Sequence, residues 1–290
     1  MLRLLKKSSL KTINKAEIDK EIETFKSIGI TGDDKDLIVS LTSFPQRMYE
    51  IHYTLYSLLN QSVKPGKVIL WLSKEEFPNL EKDIPQKVLQ LKENGLTINW
   101  CTNTFSYKKF IPTLLNYPNN VIVTADDDIF YEKDWLKILI DSHEKNKDCI
   151  ISHRAHQIKF LKDGNIAPYK KWTKKIRNTK PSFQHFLTGA GGVLYPIKSL
   201  YKDVFDEKLF LQLSPKADDI WFWAMAVLNG TKICVAKNCI KHLTYVNPER
   251  ERGLTNESTL FSINKKGGND VQLQKVLNHY PQILDIIKEK

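Results

Sequence analysis

The chain has 290 residues, 41% hydrophobic and 27% charged, the composition of an ordinary soluble globular protein with length for one large domain or two small ones. Its 44 Lys and Arg outnumber 33 Asp and Glu, and the formal charge of +11 points to anionic partners such as nucleotides, lipid head groups or nucleic acid without choosing among them. The four cysteines form no Cys-x-x-Cys pair, which argues for free thiols in a reducing cytosol rather than a metal site or disulfides, and no apolar run or leader suggests a spanning or exported chain.

Residues 1–35 read as an N-terminal helical extension. Ile18, Ile22 and Phe25 recur at spacings of four and three, the mark of an amphipathic helix. It is expected to pack on the main domain; peripheral membrane contact through Leu2, Leu4, Leu5, Lys6 and Lys7 is the alternative. Gly29, Gly32, Asp33 and Asp34 then mark a turn.

From residue 36 to about residue 270, strand and helix patterns alternate, which predicts one α/β domain with crossover helices. Strands are expected at 37–41, 68–72 and 96–101, and helices at 48–60, 84–94 and 108–116. The loop at 42–47 carries no glycine-rich fingerprint, which argues against a dinucleotide or P-loop site. It can be an ordinary turn, or a seat for a nucleotide base and ribose with Arg47 reaching a phosphate. Lys108 and Lys109 open the next helix, where Lys pairs are commonly solvated.

Residues 121–131 are the most informative stretch, an apolar β-branched run that stops at Asp126, Asp127 and Asp128. Ligands in parallel α/β sheets sit beyond the carboxyl ends of such strands. Three adjacent carboxylates repel one another unless a cation or hydrogen-bond donors compensate them. If the segment stays extended, Asp126 and Asp128 face one side. That pair suits Mg²⁺ or Mn²⁺ carrying a diphosphate, since such an ion needs one or two carboxylates besides phosphate oxygens. A helix N-terminus is the plain alternative.

A helix is expected at 134–145 and a strand at 149–152. Between Arg154 and Lys180 basic residues dominate, with Phe160, Tyr169 and Trp172 interleaved. That mixture can grip single-stranded nucleic acid, hold a sugar beside a phosphate, or be a solvated loop. Gly189, Gly191 and Gly192 precede a strand at 193–195, either as a tight turn or where something approaches the backbone closely. Asp218 and Asp219 open a nearly all-apolar helix to residue 228. Asp218 can cap it and Asp219 favour its dipole, or one can be a general base. Strands are expected at 231–235 and 239–245, the second containing His242, a residue type that is most often satisfied locally. Residues 247–268 read as a lid, and 271–290 as a final helix packed on the sheet through Val271, Leu273, Val276 and Leu277, capped by Asn269 and Asp270.

Residues 38–47, 107–112 and 124–128 together resemble bacterial glycosyltransferases of the GT-A fold, of the broad family-2-like kind. The resemblance implies a Rossmann-like, mostly parallel sheet, with a nucleotide-sugar half at 36–130 and an acceptor half at 131–270. It implies transfer from a nucleotide diphosphate sugar, usually UDP-linked, through Mn²⁺ or Mg²⁺ at an Asp-x-Asp motif. By the same token Thr42, Phe44, Arg47, Lys108, Lys109, Asp126 and Asp127 approach the donor, and Gly191 and Gly192 wall it. Asp128, with Asp126 and His242, is the metal set, and Asp219, paired with Asp218, the base. The acceptor implied is a glycan or glycolipid of the cell surface, with inversion favoured. A nucleotidyltransferase and a non-catalytic nucleic-acid-binding protein are the rivals; the latter leaves both acidic groups without a purpose.

Overall fold

The computed structural model describes residues 10–33, 37–251 and 267–288. The chain begins with β1 (Lys11–Thr12) and α1 (Lys15–Thr24), then enters the main sheet through β2 (Ile38–Thr42), β3 (Lys67–Ser73) and β4 (Leu96–Cys101). These three strands run parallel and move outward in one direction, joined by α2 (Ile51–Leu59) and then α3 (Gln86–Leu89) with its following 3₁₀ turn. After α4 (Ile111–Asn116) the chain crosses back, and β5 (Ile122–Thr124) pairs parallel with the other side of β2. The gap between the carboxyl ends of β2 and β5 is therefore the topological switch point, where open α/β sheets bind ligands.

The next strand, β6 (Ile129–Phe130), leaves this sheet and joins a small one in the order β1-β12-β6, with β12 at Thr244–Tyr245. After α5 (Trp135–His143) come β7 (Ile150–Ser152) and the two-stranded ribbon of β8 (Ala155–Gln157) and β9 (His185–Leu187). The strand β10 (Val193–Tyr195) lies antiparallel between β5 and β7, and β11 (Ile233–Val235) closes the sheet parallel to β7. The seven-stranded order β11-β7-β10-β5-β2-β3-β4, flanked by helices, is the mostly parallel α/β architecture expected from the sequence.

Strand alternation sorts side chains onto two faces. Ile122, Ile150, Val193 and Ile233 enter one core with α7 (Asp218–Leu228), while their neighbours Val123, Ile151, Leu194 and Cys234 enter the other with α2 and α5. Trp221, Phe222 and Trp223 of α7 are fully buried. Each large side chain of this kind contributes about 1.5–3 kcal/mol by leaving water. The two indole N–H groups donate to Val204 O at 3.3 Å and Phe183 O at 3.1 Å, so neither is left unsatisfied.

Several expected elements are shorter, each for a local reason. The helix expected at 108–116 divides because Pro112 is tolerated only in a first turn; Phe105–Lys109 forms a 3₁₀ turn and α4 starts at Ile111. The strand expected to run up to the carboxylates stops at Thr124, and the acidic residues turn out of the sheet. The strand at 239–245 reduces to β12, since Lys241 and His242 are exposed. In place of one C-terminal helix there are two, Asn269–His279 and Gln282–Lys288, divided at Pro281. They share a core with α7 and with α6 (Glu207–Leu213) rather than covering the sheet; Leu273, Val276 and Leu277 are buried there, whereas Val271 is 60% exposed. The first of these helices has Gly268 as N-cap, and Asp270 instead accepts a hydrogen bond from Tyr169 N at 2.7 Å.

The N-terminal helix α1 does pack on the domain. Phe25 meets the Tyr56 ring edge-on at 5.1 Å, and Lys15 pairs with Glu50, Glu21 with Tyr56 and Asp19 with Lys87 and Tyr53. Leu2, Leu4, Leu5, Lys6, Lys7 and Asp34, and residues 252–266 of the expected lid, lie outside the described residues. No helix among the described residues is long and apolar enough to cross a membrane, and all four cysteines are free.

Candidate active site

The three carboxylates of the acidic turn are compensated by the protein itself. Arg47, in the turn after β2, places Nη1 3.0 Å from Asp127 Oδ1 and 2.6 Å from Asp128 Oδ2. Ser43 donates to the second oxygen of Asp127, and Thr54 Oγ1 donates to its carbonyl at 3.0 Å. Asp127 is thus fully used in holding the two loops of the switch point together. Asp126 goes elsewhere: its Oδ1 receives Lys109 Nζ at 2.9 Å, and its N–H donates to Tyr131 Oη at 2.8 Å. Because Asp127 and Asp128 lie in a turn, the period-two rule does not apply, and Asp128 shares its cation with Asp127 instead of Asp126.

Lys109 is the hinge of the site. Its side chain is only 8% exposed, and its Nζ also lies 3.0 Å from Asp218 Oδ2, an ion pair without the geometry of a directed hydrogen bond. The backbone carbonyl of Lys109 accepts from Ser40 Oγ of β2 at 2.7 Å, and Ser40 Oγ lies 2.6 Å from Thr113 Oγ1. Two residues earlier, Tyr107 bonds through its hydroxyl to Ser214, in the turn that leads into α7. These buried bonds fix the acidic turn and the head of α7 relative to one another.

At that head the N-cap position is Ala217 and makes no side-chain cap bond; Asp218 and Asp219 fill the first turn. Neither carboxylate is the cap, so the capping role expected for Asp218 is not what the residue does. Asp219 Oδ1 instead accepts the backbone N–H of Gly189 at 3.0 Å. Asp219 keeps some exposed surface yet is enclosed by protein on most sides; burial first, then the Asp218 carboxylate, pushes its pKa up to about 8, with Lys109 pulling it down. Burial also raises Asp126 and Asp127, against the pull of Lys109 and Arg47 respectively. Five carboxylates here face two buried cations, an excess of negative charge that favours protons or a further cation.

Other expected site residues are distributed unevenly. Thr42 Oγ1 donates to Trp71 O at 2.8 Å, and Phe44 lies on the surface beside the switch point with the Arg47 guanidinium 5.4 Å from its ring centroid. Lys108 turns away from the acids and is buried against Glu76 after β3. Gly191 and Gly192 do not face the acidic cluster: a Cβ on Gly191 would meet Arg154 Cβ at 2.9 Å, and one on Gly192 the Trp135 ring at 2.4 Å. Gly189 is the glycine at the site, where a Cβ would lie 2.9 Å from Lys109 Nζ and 3.1 Å from Asp219 Oδ1. Its signal was already in the sequence as the first glycine of the cluster, but not which glycine faces inward. Ser43, Tyr131 and Glu76 carry no motif of their own and were not singled out.

The two kinds of glycine give opposite expected outcomes. Gly192→Ala, at φ 91 and against the indole, is expected to lose about 2–4 kcal/mol of stability. Gly189→Ala is expected to lose mainly turnover, because the methyl group presses on the flexible end of Lys109 and on Asp219. Urea unfolding and steady-state kinetics of both variants check this; equal losses of stability would contradict it.

His242 is not brought to the acidic turn. The β12–β6 pairing sets Tyr245 opposite Ile129 and Thr244 opposite Phe130, so in this antiparallel register His242 falls toward Glu132 and away from Asp128. Its side chain is exposed and lines a separate basic cavity with Arg177 and Lys241. Among the described residues no group of three or more His, Cys, Asp or Glu side chains could hold a metal by itself. Asp126 Oδ2 and Asp128 Oδ1 remain outside the two ion pairs on side chains 28% and 18% exposed. Two such oxygens fit a hard ion that takes its other ligands from water and a diphosphate.

The aromatic residues of the basic interval are not a stacking surface. Trp172 is 3% exposed and donates to Ala167 O, and Tyr169 and Phe160 pack against the α7 core. The interval is pinned as well, through the pairing of Thr173 with Gln157 and of Ile166 with Phe160. Neither the nucleic-acid groove nor the mobile loop describes it.

No protein-family model matches the chain, and no curated protein matches it in sequence. Similar solved structures include residues 1–349 of S. aureus TarS, 14% identical with a TM-score of 0.48, over 87% of this chain and 70% of that one. The same segment in complex with UDP is 15% identical with a TM-score of 0.48, over 86% and 69%. A third is CMP:2-keto-3-deoxy-manno-octonic acid synthetase complexed with CTP, 9% identical with a TM-score of 0.44, over 75% and 95%. These are similarities of shape and assign no activity to this chain.

Proposed function

We propose that the chain transfers a hexosyl or N-acetylhexosaminyl group from a nucleotide diphosphate sugar, UDP-linked, to a hydroxyl of a cell-surface glycan or glycolipid. The observation that carries this reading is Lys109. It joins Asp126 at the switch point to Asp218 at the head of α7, and so ties the acidic turn to the residue next to Asp219, whose own Oδ1 is held by Gly189 N–H. A nucleic-acid-binding role gives that network no task. Nucleotidyl transfer to a hydroxyl would also release a proton, and the choice of substrate separates it from this reading.

In this reading the base and ribose lie along Thr42, Phe44 and Arg47, and Asp126 and Asp128 would hold Mn²⁺ or Mg²⁺ beside the diphosphate. That ion supplies neutralisation of the charge on the leaving diphosphate. The ionised Asp219 carboxylate takes the proton of the acceptor hydroxyl as its oxygen bonds to the anomeric carbon. The bond from that carbon to the diphosphate breaks, and its electron pair leaves with the phosphate. A single displacement of this kind inverts the anomeric centre. In this reading the enzyme would work in the cytoplasm, with peripheral contact at the inner face of the membrane where such an acceptor would be built.

The direct test compares sugar transfer from UDP-sugars with nucleotidyl transfer from nucleoside triphosphates, together with thermal shifts by each ligand, since ligands of the native state raise its stability. Nucleotidyl transfer without sugar transfer would refute the reading. The metal arm has its own outcome: Asp128→Ala is expected to lose the Mn²⁺ enhancement of UDP binding by calorimetry while melting as a folded protein. An undiminished enhancement removes Asp128 from the metal set.

A further inference from the structure

Next to the acidic site, across the turn that holds Gly189 and Gly191, lies a cavity of about 580 Å³. Lys11, Arg154, Lys175, Arg177 and Lys241 line it with His242, and no carboxylate does. The cations come from β1, from the residue before β8, from the basic interval and from the segment before β12, so the fold rather than a local run of sequence gathers them. Some surface lysines find carboxylate partners, as Lys92 does in Glu81 and Lys137 in Asp141. In the cavity Lys11 pairs with Glu132, whereas among the described residues no carboxylate pairs with Arg154, Lys175, Arg177 or Lys241. Arg154 Nε is buried and makes no hydrogen bond. Like charges held together raise the energy of the empty site and lower that of a site filled by a multivalent anion.

The chemistry of the lining favours phosphate. A guanidinium pairs with phosphate through two parallel hydrogen bonds, and lysines add compact charge around it. Placement links the cavity to the reaction. Gly191 lines the cavity while Gly189, two residues earlier, donates to Asp219. In the function proposed above the donor diphosphate lies at Asp126 and Asp128, which do not line this cavity.

We infer that this basic cavity is a phosphate-binding subsite, and that it holds a phosphate or diphosphate group of the acceptor beside Asp219. The subsite stands on the cavity itself; the role in holding the acceptor rests on the function proposed above.

The test titrates the full chain with inorganic pyrophosphate in EDTA, so that the acidic turn has no metal with which to take it. Wild type is expected to bind one pyrophosphate, unaffected by added UDP. Arg177→Gln with Lys241→Gln, both exposed and remote from the core, is expected to weaken that binding by about tenfold or more. Lys170→Gln with Lys171→Gln, exposed lysines outside the cavity, is expected to leave it within about twofold. Absent binding, displacement by UDP, or equal weakening in both pairs overturns the subsite. UDP-sugar binding with Mn²⁺, measured in parallel, keeps the two ideas apart. If it persists while pyrophosphate fails, the subsite is wrong and the donor reading stands; the opposite result keeps the subsite and overturns that reading.

Discussion

Asp219→Asn is expected to lower kcat by about 10² to 10⁴-fold while leaving the protein folded and the UDP-sugar affinity close to wild type. The carboxamide oxygen can still accept the Gly189 N–H that Asp219 Oδ1 now takes at 3.0 Å, so the local bond survives and only proton acceptance is lost. Since neither acid caps α7, the substitution removes no cap. Asp218→Asn, which leaves Asp219 in place, is expected to lose less. Turnover, donor affinity and melting temperature of both variants decide it: near wild-type turnover in Asp219→Asn sinks the assignment, and a dead Asp218→Asn exchanges the roles.

The same carboxyl gives a pH dependence with a definite sign. Burial and Asp218 raise its folded pKa from 3.8 to about 8, so the folded protein holds a proton that the unfolded chain has released. As a base it works only when ionised, and kcat/KM of the free enzyme is expected to climb as pH rises through about 8. Its effect on stability runs the other way, fully favourable below about pH 4 and lost as pH rises through the folded pKa. Asp219→Asn abolishes this loss and is expected to gain stability relative to wild type from pH 5 to pH 9. A parallel stability profile for the two proteins would show that the group is not perturbed.

The fold was legible because its signals are local. Continuous β-branched runs mark β2, β3 and β5, and the apolar stretch opened by Asp218 and Asp219 marks α7 to the residue. The acidic turn was legible as a site because three carboxylates need compensation somewhere. What compensates them was not, since Arg47 and Lys109 reach them from 80 and 17 residues away in sequence. Adjacent residues also part company in space: Lys108 goes to Glu76 and Lys109 to Asp126, a division set by the 3₁₀ turn that carries both. Similarly, Gly189 faces the acids while Gly191 and Gly192 admit Arg154 and Trp135, which no spacing rule separates. The aromatics of the basic interval misled for the opposite reason. Interleaving with lysines looks like a surface, but Trp172 and Tyr169 pack inward against Phe186, with Lys174 laid over the Tyr169 ring.

Lys109→Met is expected to have the largest effect on stability, a loss of about 3–5 kcal/mol at pH 8. The substituted chain keeps its length and apolar stem, so the loss is that of the ammonium group held 2.9 Å from Asp126 Oδ1 and 3.0 Å from Asp218 Oδ2. Without it the carboxylates of the site lose one of two buried cations, and desolvated charge stands uncompensated. Lys109 itself does not titrate in the range of the experiment: its folded pKa is raised well above 10.5, burial opposing and Asp126 then Asp218 overcoming it, so its contribution persists until pH exceeds 10.5. The carboxyls do titrate. Asp126 and Asp219 already have raised pKa values, and in Lys109→Met they rise further, so a modest fall in pH neutralises them. Urea unfolding of wild type and Lys109→Met at pH 5 and pH 8 should therefore show a penalty that shrinks on acidification, and Asp218→Asn in the Lys109→Met background should recover part of it at pH 8. A penalty that is the same at both pH values would mean that Lys109 acts by packing, and the ion-paired link between the acidic turn and the head of α7 would fall with it.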